Sequence, residues 1–296
     1  MTYGWRSRLA GGIASVLLLA AAPATFGQDA STLLGRYETL RDKLAGSPFG
    51  RPLVLASSQN DGNLTGDVYT VVEHPYTTVR KALATRAQWC DILILHLNVK
   101  GCRVGAGDSS LLLEVGRKFD QPASDTYKLD FGFKVAASTA EHLHVSLRCD
   151  DGPLGTKDYR IHVEAVALDA GRTFIHMSYS YGYGLSARLA MQTYLATLGR
   201  DKVGFTVVER QADKPVYVGG VLGLLERNTM RYYLAIEAYL GARGLPPGQQ
   251  AEKRIQDWYA STERYARQLH EMDEADYLEM KRAEIRRQQQ PRPPAS

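Results

Sequence analysis

The sequence predicts an α+β fold in which an antiparallel sheet wraps one long helix and a helical extension follows. Three observations predict it. Apolar and polar residues alternate with period two from Tyr127 to Tyr183, interrupted by short glycine-containing turns. At Leu185 the period changes to that of a helix. One strand and a helical pair stand ahead of the alternating run, and the last third of the chain keeps helical spacing.

Each element has its own pattern. Leu33, Leu34, Tyr37, Leu40 and Leu44 recur at helical spacing, so a short amphipathic helix comes first, and residues 47–52, with two prolines, break it. Residues 67–73 form a strand through Val68, Tyr69, Val71 and Val72. His74-Pro75 ends it, and Pro75 opens a helix carrying Val79, Leu83 and Trp89. Residues 111–115 are a short apolar strand. The glycines of 105–108 lack the strand-to-helix context of a phosphate loop and mark a hairpin. Tyr127, Leu129, Phe131, Phe133 and Val135 alternate with polar neighbours, as do Leu143, Val145 and Leu147. Residues 159–168 and 172–183 complete an antiparallel meander. Leu185, Leu189 and Ala196 then share one face of a helix ending near Gly199.

Beyond Gly199, residues 204–208 read as a short strand or edge. Leu225, Thr229, Tyr233, Ile236 and Leu240 share a helical face, and residues 241–248 form a linker. Trp258, Thr262, Tyr265, Leu269 and Met272 are spaced alternately by four and three, a short coiled-coil-like seam that packs back onto the core. Glu226 to Arg231 reads as a solvated or inter-domain pairing face. Residues 281–292 read as a basic, glutamine-rich tail and 291–296 as disordered. The expected organisation is a signal peptide at 1–27, a lead-in at 28–63, the sheet domain at 64–200, a helical extension at 201–290 and the tail at 291–296.

Composition excludes several classes. The 296 residues carry 36 Lys+Arg against 32 Asp+Glu and are 44% hydrophobic, which suits a packed core rather than disorder. The net charge of +4 falls to +2 without Arg6 and Arg8, too weak for a binder that relies on neutralising phosphates. Nucleic acid is not an expected partner. Those two arginines, the apolar run 13–22 and the small residues Pro23, Ala24, Thr25 and Gly27 make a secretory signal, cleaved after Ala24 or Gly27. The run is shorter than the roughly 20 residues of a spanning helix, so no transmembrane segment is expected after signal removal. The alternative is an uncleaved N-terminal anchor. A periplasmic or secreted bacterial protein follows. That compartment permits a Cys90–Cys102 disulfide, with Cys149 left over; the alternative is three buried thiols.

The opening strand at 67–73, the run Pro75-Tyr76-Thr77-Thr78-Val79, Trp89, and a long helix after the tyrosine-rich strand 177–183 together resemble the helix-grip fold of the START-like (SRPBCC) superfamily. That superfamily includes lipid-transfer proteins, plant allergens and polyketide cyclases. The resemblance covers residues 64–200, under half the chain, and rests on topology more than on a sharp signature. It implies a pocket between sheet and helix for lipids, sterols, polyketides or other apolar molecules. The superfamily has no universal catalytic motif to transfer, so it leaves activity open.

The candidate ligand-binding residues follow from alternation. Ile175, Met177, Tyr179, Tyr181 and Tyr183 share one face, toward Met191 and Tyr194 of the long helix, with Tyr127, Phe131 and Phe133 on the other buried face. Tyrosines offer an apolar body and a hydroxyl that needs a partner, which suits a mostly apolar ligand with a few polar points. The bland alternative is an ordinary packed core. In the simplest registers His144, His162 and His176 fall side by side on three strands of the opposite face, close enough to share a zinc ion. A slip of two residues would separate them. No metal or cofactor is assigned, and no serine elbow, HExxH or EF-hand loop is present. The expected function is therefore an exported carrier of a lipid or other apolar small molecule, with the C-terminal helices offering a face to an envelope or protein partner. One rival is a cyclase- or aromatase-type enzyme on a polyketide-like or aromatic substrate, which requires a titratable group buried beside the tyrosines. Another is an interaction protein with a filled core and an exposed apolar seam at Trp258–Met272.

Overall fold

Alternation in the sequence becomes a sheet of eight antiparallel strands in the order β1-β2-β8-β7-β6-β5-β4-β3. The computed structural model describes Met1 and residues 30–60, 62–105, 107, 109–184 and 201–290. The signal segment, the helix expected at 185–199 with Met191 and Tyr194, and the tail 291–296 lie outside the described residues. The strands are β1 (Leu53–Asn60), β2 (Asn63–Val72), β3 (Val99–Val104), β4 (Ser110–Val115), β5 (Tyr127–Ser138), β6 (His142–Asp151), β7 (Thr156–Ala167) and β8 (Thr173–Tyr183). Between β2 and β3 come the paired short helices α2 (Tyr76–Leu83) and α3 (Arg86–Leu93). The chain then returns through six strands until β8 closes against β2. This is an α+β, START-like order of elements, with β1 added as a further strand outside β2.

The strand β1 has no counterpart in the sequence reading. Its run Ala56-Ser57-Ser58-Gln59-Asn60 is polar and mostly exposed, as suits a sheet edge, so it carries no buried-face alternation to detect. A second, two-stranded ribbon pairs β9 (Val207–Gln211) with β10 (Lys214–Tyr217). Its turn places Ala212 and Asp213 at φ of 47° and 65°, a left-handed pair with no glycine to announce it.

One face of the sheet is apolar. Leu143, Val145 and Leu147 of β6 lie opposite Ala165, Val163 and Ile161 of β7, and these pair onward with Ile175, Met177 and Tyr179 of β8. All are buried. The helix packed on this face is α4 (Gly220–Gly241), which the sequence had assigned to the extension. It comes close at Gly66 of β2, where an added Cβ would run into the Thr229 side chain. Glycine is needed there for contact, not for backbone conformation.

The remaining helices, α5 (Pro247–Glu263), α6 (Ala266–Leu269) and α7 (Glu274–Gln289), share a single core with α4 and the sheet. The Trp258 seam faces inward: Trp258 Nε1 donates to the Arg231 carbonyl at 3.1 Å and its ring stacks on Tyr277 at 5.0 Å. Of the two readings of Glu226–Arg231, solvated or pairing, the solvated one is overturned: Glu226, Arg227 and Arg231 are all buried and bond to other segments of the chain. The expected basic tail is likewise corrected at its start. Lys281 lies on α7, fully buried, donating to the carbonyls of His96 and Val99 and to Glu284. Among the described residues no helix is long and apolar enough to cross a membrane. On the other face of the sheet, α1 (Ala30–Ala45) buries Leu33 and Leu44 with Val166 and Phe174.

Cys90 of α3 and Cys102 of β3 form a disulfide, with Cα atoms 5.1 Å apart, and Cys149 is a buried free thiol. The bridge spans a sequence separation of 12 and ties the helical pair to the sheet edge. Replacing both cysteines by alanine should lower stability by about 2–3 kcal/mol. Urea unfolding under non-reducing conditions measures this, and an unchanged midpoint would refute a structural role.

Candidate functional site

The apolar face ends in a group of tyrosines. Tyr179 and Tyr181 project from successive inward positions of β8, and both are buried. Tyr159 of β7 stacks on Tyr181 at 5.3 Å, and Tyr232 of α4 meets Tyr179 at 5.0 Å between ring centroids. Two of the hydroxyls have partners among the described residues. Tyr159 donates to Thr156 Oγ1 at 2.9 Å, and the Tyr183 hydroxyl accepts from Gln59 Nε2 at 2.6 Å. Among the described residues, those of Tyr179, Tyr181 and Tyr232 have no hydrogen-bond partner. Burial pushes all three above the ordinary phenol pKa, so they remain neutral donors.

Of the other sequence candidates, Met177, Phe131 and Phe133 lie on this same face, the first two buried and Phe133 partly so. The placement of Phe131 and Phe133 on a separate buried face is overturned. Register carries one apolar face across β5 to β8, since Phe133 lies opposite Leu147, Leu147 opposite Ile161, and Ile161 opposite Tyr179. Tyr127 is also corrected. It is 48% exposed at the start of β5 and borders an open depression of about 490 Å³ with Asp130, Asp150 and Asp151.

Three residues of this neighbourhood were not singled out from sequence: Tyr159, Tyr232 and His96. His96 sits between α3 and β3, 2% exposed, its ring stacked on Tyr232 at 4.6 Å. Its Nδ1 accepts the Asn98 backbone N–H at 3.2 Å, so the ring proton belongs on Nε2. Among the described residues that buried Nε2 has no hydrogen-bond partner. Burial first, then Arg231, Lys281, Lys118 and Lys100, hold its pKa well below the usual histidine value. A group with a depressed native pKa takes up its proton more readily in the unfolded chain, so stability falls as pH drops below about 6.5. Replacing His96 with Phe should flatten the stability–pH curve between pH 6.5 and 5. Urea midpoints across that range test this, and parallel curves for the two proteins would refute it.

Beside His96 lies an ion cluster built on Glu271, in the link between α6 and α7. Its carboxylate pairs with Lys118 at 2.7 Å and Arg231 at 2.8 Å, and with Arg227 and Lys202. Burial works against its charge, but Arg231 and the two lysines outweigh it and hold the carboxyl well below the carboxylate range. Burial in turn lowers Lys118 to about 7. Only the spacing of Arg227 and Arg231, four apart on one helical face, could have hinted at this cluster.

The opposite sheet face holds the histidines, but not in the simplest register. His144 lies opposite Glu164 and His162 opposite Ser146, a slip of two residues from the arrangement that would align three imidazoles. His176 lies across from Glu164 and shares a 2.8 Å contact with Asp67, while its ring stacks on Tyr69. His144 Nε2 and His162 Nδ1 meet diagonally at 3.4 Å. Among the described residues no group of three His, Cys, Asp or Glu side chains is arranged to hold a metal ion.

No protein family matches the chain in sequence, and no curated protein does. Solved structures similar to part of it include a START superfamily protein from Mycobacterium smegmatis. That protein is 14% identical over 46% of this chain and 92% of its own, with a TM-score of 0.31. Norcoclaurine synthase from Thalictrum flavum is 14% identical, over 48% of this chain and 85% of its own, with a TM-score of 0.32. A conserved protein from Geobacillus kaustophilus is 13% identical, over 46% and 85%, also with a TM-score of 0.32.

Proposed function

We propose that this chain is an exported binding protein that holds a mostly apolar small molecule, of the lipid class, against the tyrosine-lined end of its sheet. The observation that carries this reading is the group of rings of Tyr159, Tyr179, Tyr181 and Tyr232 packed together at one end of the apolar sheet face. Such rings present an apolar body tipped with hydroxyls, which suits an occupant with a few polar points on an apolar body. The apolar run behind Arg6 and Arg8 and the Cys90–Cys102 bridge support export. The test is native mass spectrometry of protein purified from the periplasm of its own host, followed by organic extraction. A co-purifying lipid-sized mass is the expected result. The Tyr179→Phe/Tyr181→Phe/Tyr232→Phe variant should hold that ligand more weakly, by roughly two- to tenfold per paired hydroxyl. Protein that is empty in every preparation would overturn the reading.

A second reading, an enzyme acting on an aromatic or polyketide-like substrate, is favoured by His96, the perturbed titratable group beside the tyrosines that such chemistry requires. An extracted ligand recovered chemically altered after incubation with the wild type, and unaltered after incubation with His96→Phe, would favour the enzyme. The interaction-protein reading loses its main requirement, because Trp258, Thr262 and Leu269 are buried.

A further inference from the structure

The wet face of the sheet, opposite the tyrosine group, carries His142 and His144 on β6, His162 on β7 and His176 on β8. Two of these rings are already committed. His176 lies 2.8 Å from Asp67 through Nε2 and 3.5 Å from Glu164 through Nδ1, and its ring is stacked on Tyr69. His142 is buried, with Nε2 3.3 Å from Glu164. The other two face each other. His144 Nε2 and His162 Nδ1 are 3.4 Å apart, and both residues are partly exposed. The residues directly opposite His162 on its neighbouring strands are small, Ser146 and Ser178. Burial is the main cause that holds both rings below the ordinary histidine pKa, so both are neutral at pH 7. His142, His176, Lys134 and Arg160 push the same way, and Glu164 opposes them.

A neutral imidazole offers a metal ion one lone pair, and zinc-class ions favour that donor. A tetrahedral zinc with bonds of about 2.0–2.1 Å to nitrogen spaces its ligand nitrogens about 3.3–3.4 Å apart. The 3.4 Å between His144 Nε2 and His162 Nδ1 is such an edge, already set by the pairing of β6 with β7. We propose that His144 and His162 form a two-histidine binding site for a divalent ion of the zinc class, with water in its remaining positions. Binding takes the tautomers that carry N–H on His144 Nδ1 and His162 Nε2, so that both facing nitrogens are free to coordinate. Glu164 supports the site. It lies directly across from His144 in register, it is buried, and among the described residues its Oε1 accepts no hydrogen bond, so a carboxylate charge sits beside the pair. Two protein ligands hold an ion more loosely than the three or four of resident zinc sites, so the ion exchanges with solution. The site is on the other face of the sheet from the tyrosines and stands independently of the small-molecule reading.

The experiment is isothermal titration calorimetry of the full, untagged chain, freed of metal with a chelator, at pH 7 with zinc chloride and separately with magnesium chloride. Zinc is expected to bind and magnesium, which prefers oxygen ligands, is not. His144→Gln and His162→Gln should each weaken zinc by at least about tenfold, since even an outer-shell partner of a metal is worth that much. His270→Gln, at an exposed histidine paired with Glu263, should leave zinc binding unchanged. Imidazole-nitrogen NMR of the wild type needs no variant to fold: zinc should shift the resonances of His144 and His162 and leave those of His270 in place. Absence of zinc binding would overturn the proposal. So would zinc binding that survives either glutamine variant, equal binding of magnesium, or zinc shifts confined to other histidines.

Discussion

Replacing Glu284 with Gln should destabilise the protein by about 3–5 kcal/mol at pH 7, the usual cost of removing one partner from a buried ion pair. Glu284 is fully buried on α7, with Lys281 Nζ at 2.7 Å and Lys100 Nζ at 3.1 Å. Without the carboxylate, two ammonium groups remain in a site that water does not reach. Burial already lowers Lys281 to about 8, with Glu284 resisting the shift. The lysine also ties α7 to the His96 and Val99 carbonyls, so strain at Glu284 passes into the loop that carries His96. The penalty should shrink as pH rises toward about 8 and level off above it, because Glu284 holds the Lys281 proton and the variant sheds it at lower pH. Replacing all three residues together (Lys100→Met, Lys281→Met, Glu284→Leu) should recover most of the loss, since an apolar triad needs no desolvation. Urea unfolding of the single and triple variants measures both. A single variant within about 1 kcal/mol of the wild type would show that the pair contributes little.

Glu226 should be nearly as sensitive. Its Oε2 accepts the backbone N–H groups of Phe205 and Thr206 at 2.6 and 2.9 Å, and its Oε1 accepts the hydroxyls of Ser57 and Thr206 at 2.7 and 2.6 Å. One carboxylate thus joins α4, the segment leading to β9, and β1. Glu226→Ala leaves four donors without it, and should cost upward of about 3 kcal/mol even after discounting for non-additivity. Glu226→Gln provides the control. Its amide oxygen can take the two backbone donors while its NH₂ donates to the two hydroxyls, which can accept instead. The glutamine variant should therefore stay within about 1 kcal/mol of the wild type. Equal losses in both variants would mean that charge, not hydrogen-bond geometry, is what Glu226 supplies.

The parts of the fold legible in the sequence were those whose signal is local. Strands β5 to β8 alternate because one face is buried and the other wet, and Leu143, Val145 and Leu147 state this without knowledge of their neighbours. The Cys90–Cys102 pair was legible through its proximity in the chain. What failed was whatever depends on pairing between distant segments. The histidine alignment turned on strand register, where a shift of two residues keeps every side chain on its face and changes all of its neighbours. Phe131 and Phe133 were given the wrong partner layer for the same reason: alternation says that a residue is buried, not against what. Lys281 read as solvated, and Glu226 to Arg231 as solvated or pairing, because charged residues are usually exposed unless paired. Only the fold reveals the partners that allow their burial. The tyrosine face was visible, but His96 and Tyr232, which give it a chemical direction, come from a loop and a helix with no local mark of their meeting.

A sheet of eight strands has two ends, and the two are finished differently here. At β3 the Cys102 amide donates to the side-chain oxygen of Gln288 at 2.9 Å, so a helix supplies the acceptor that a ninth strand would have provided. That margin is occupied against templated growth by another chain. At β1 the margin is defended by composition instead, with serines, glutamine and asparagine offering an incoming strand little apolar surface to bury. Self-association through extended backbone, a common failing of β-rich proteins held at high concentration, is opposed at both ends by different means. Loosening α7 from its lysine–glutamate anchor would unblock the first of them.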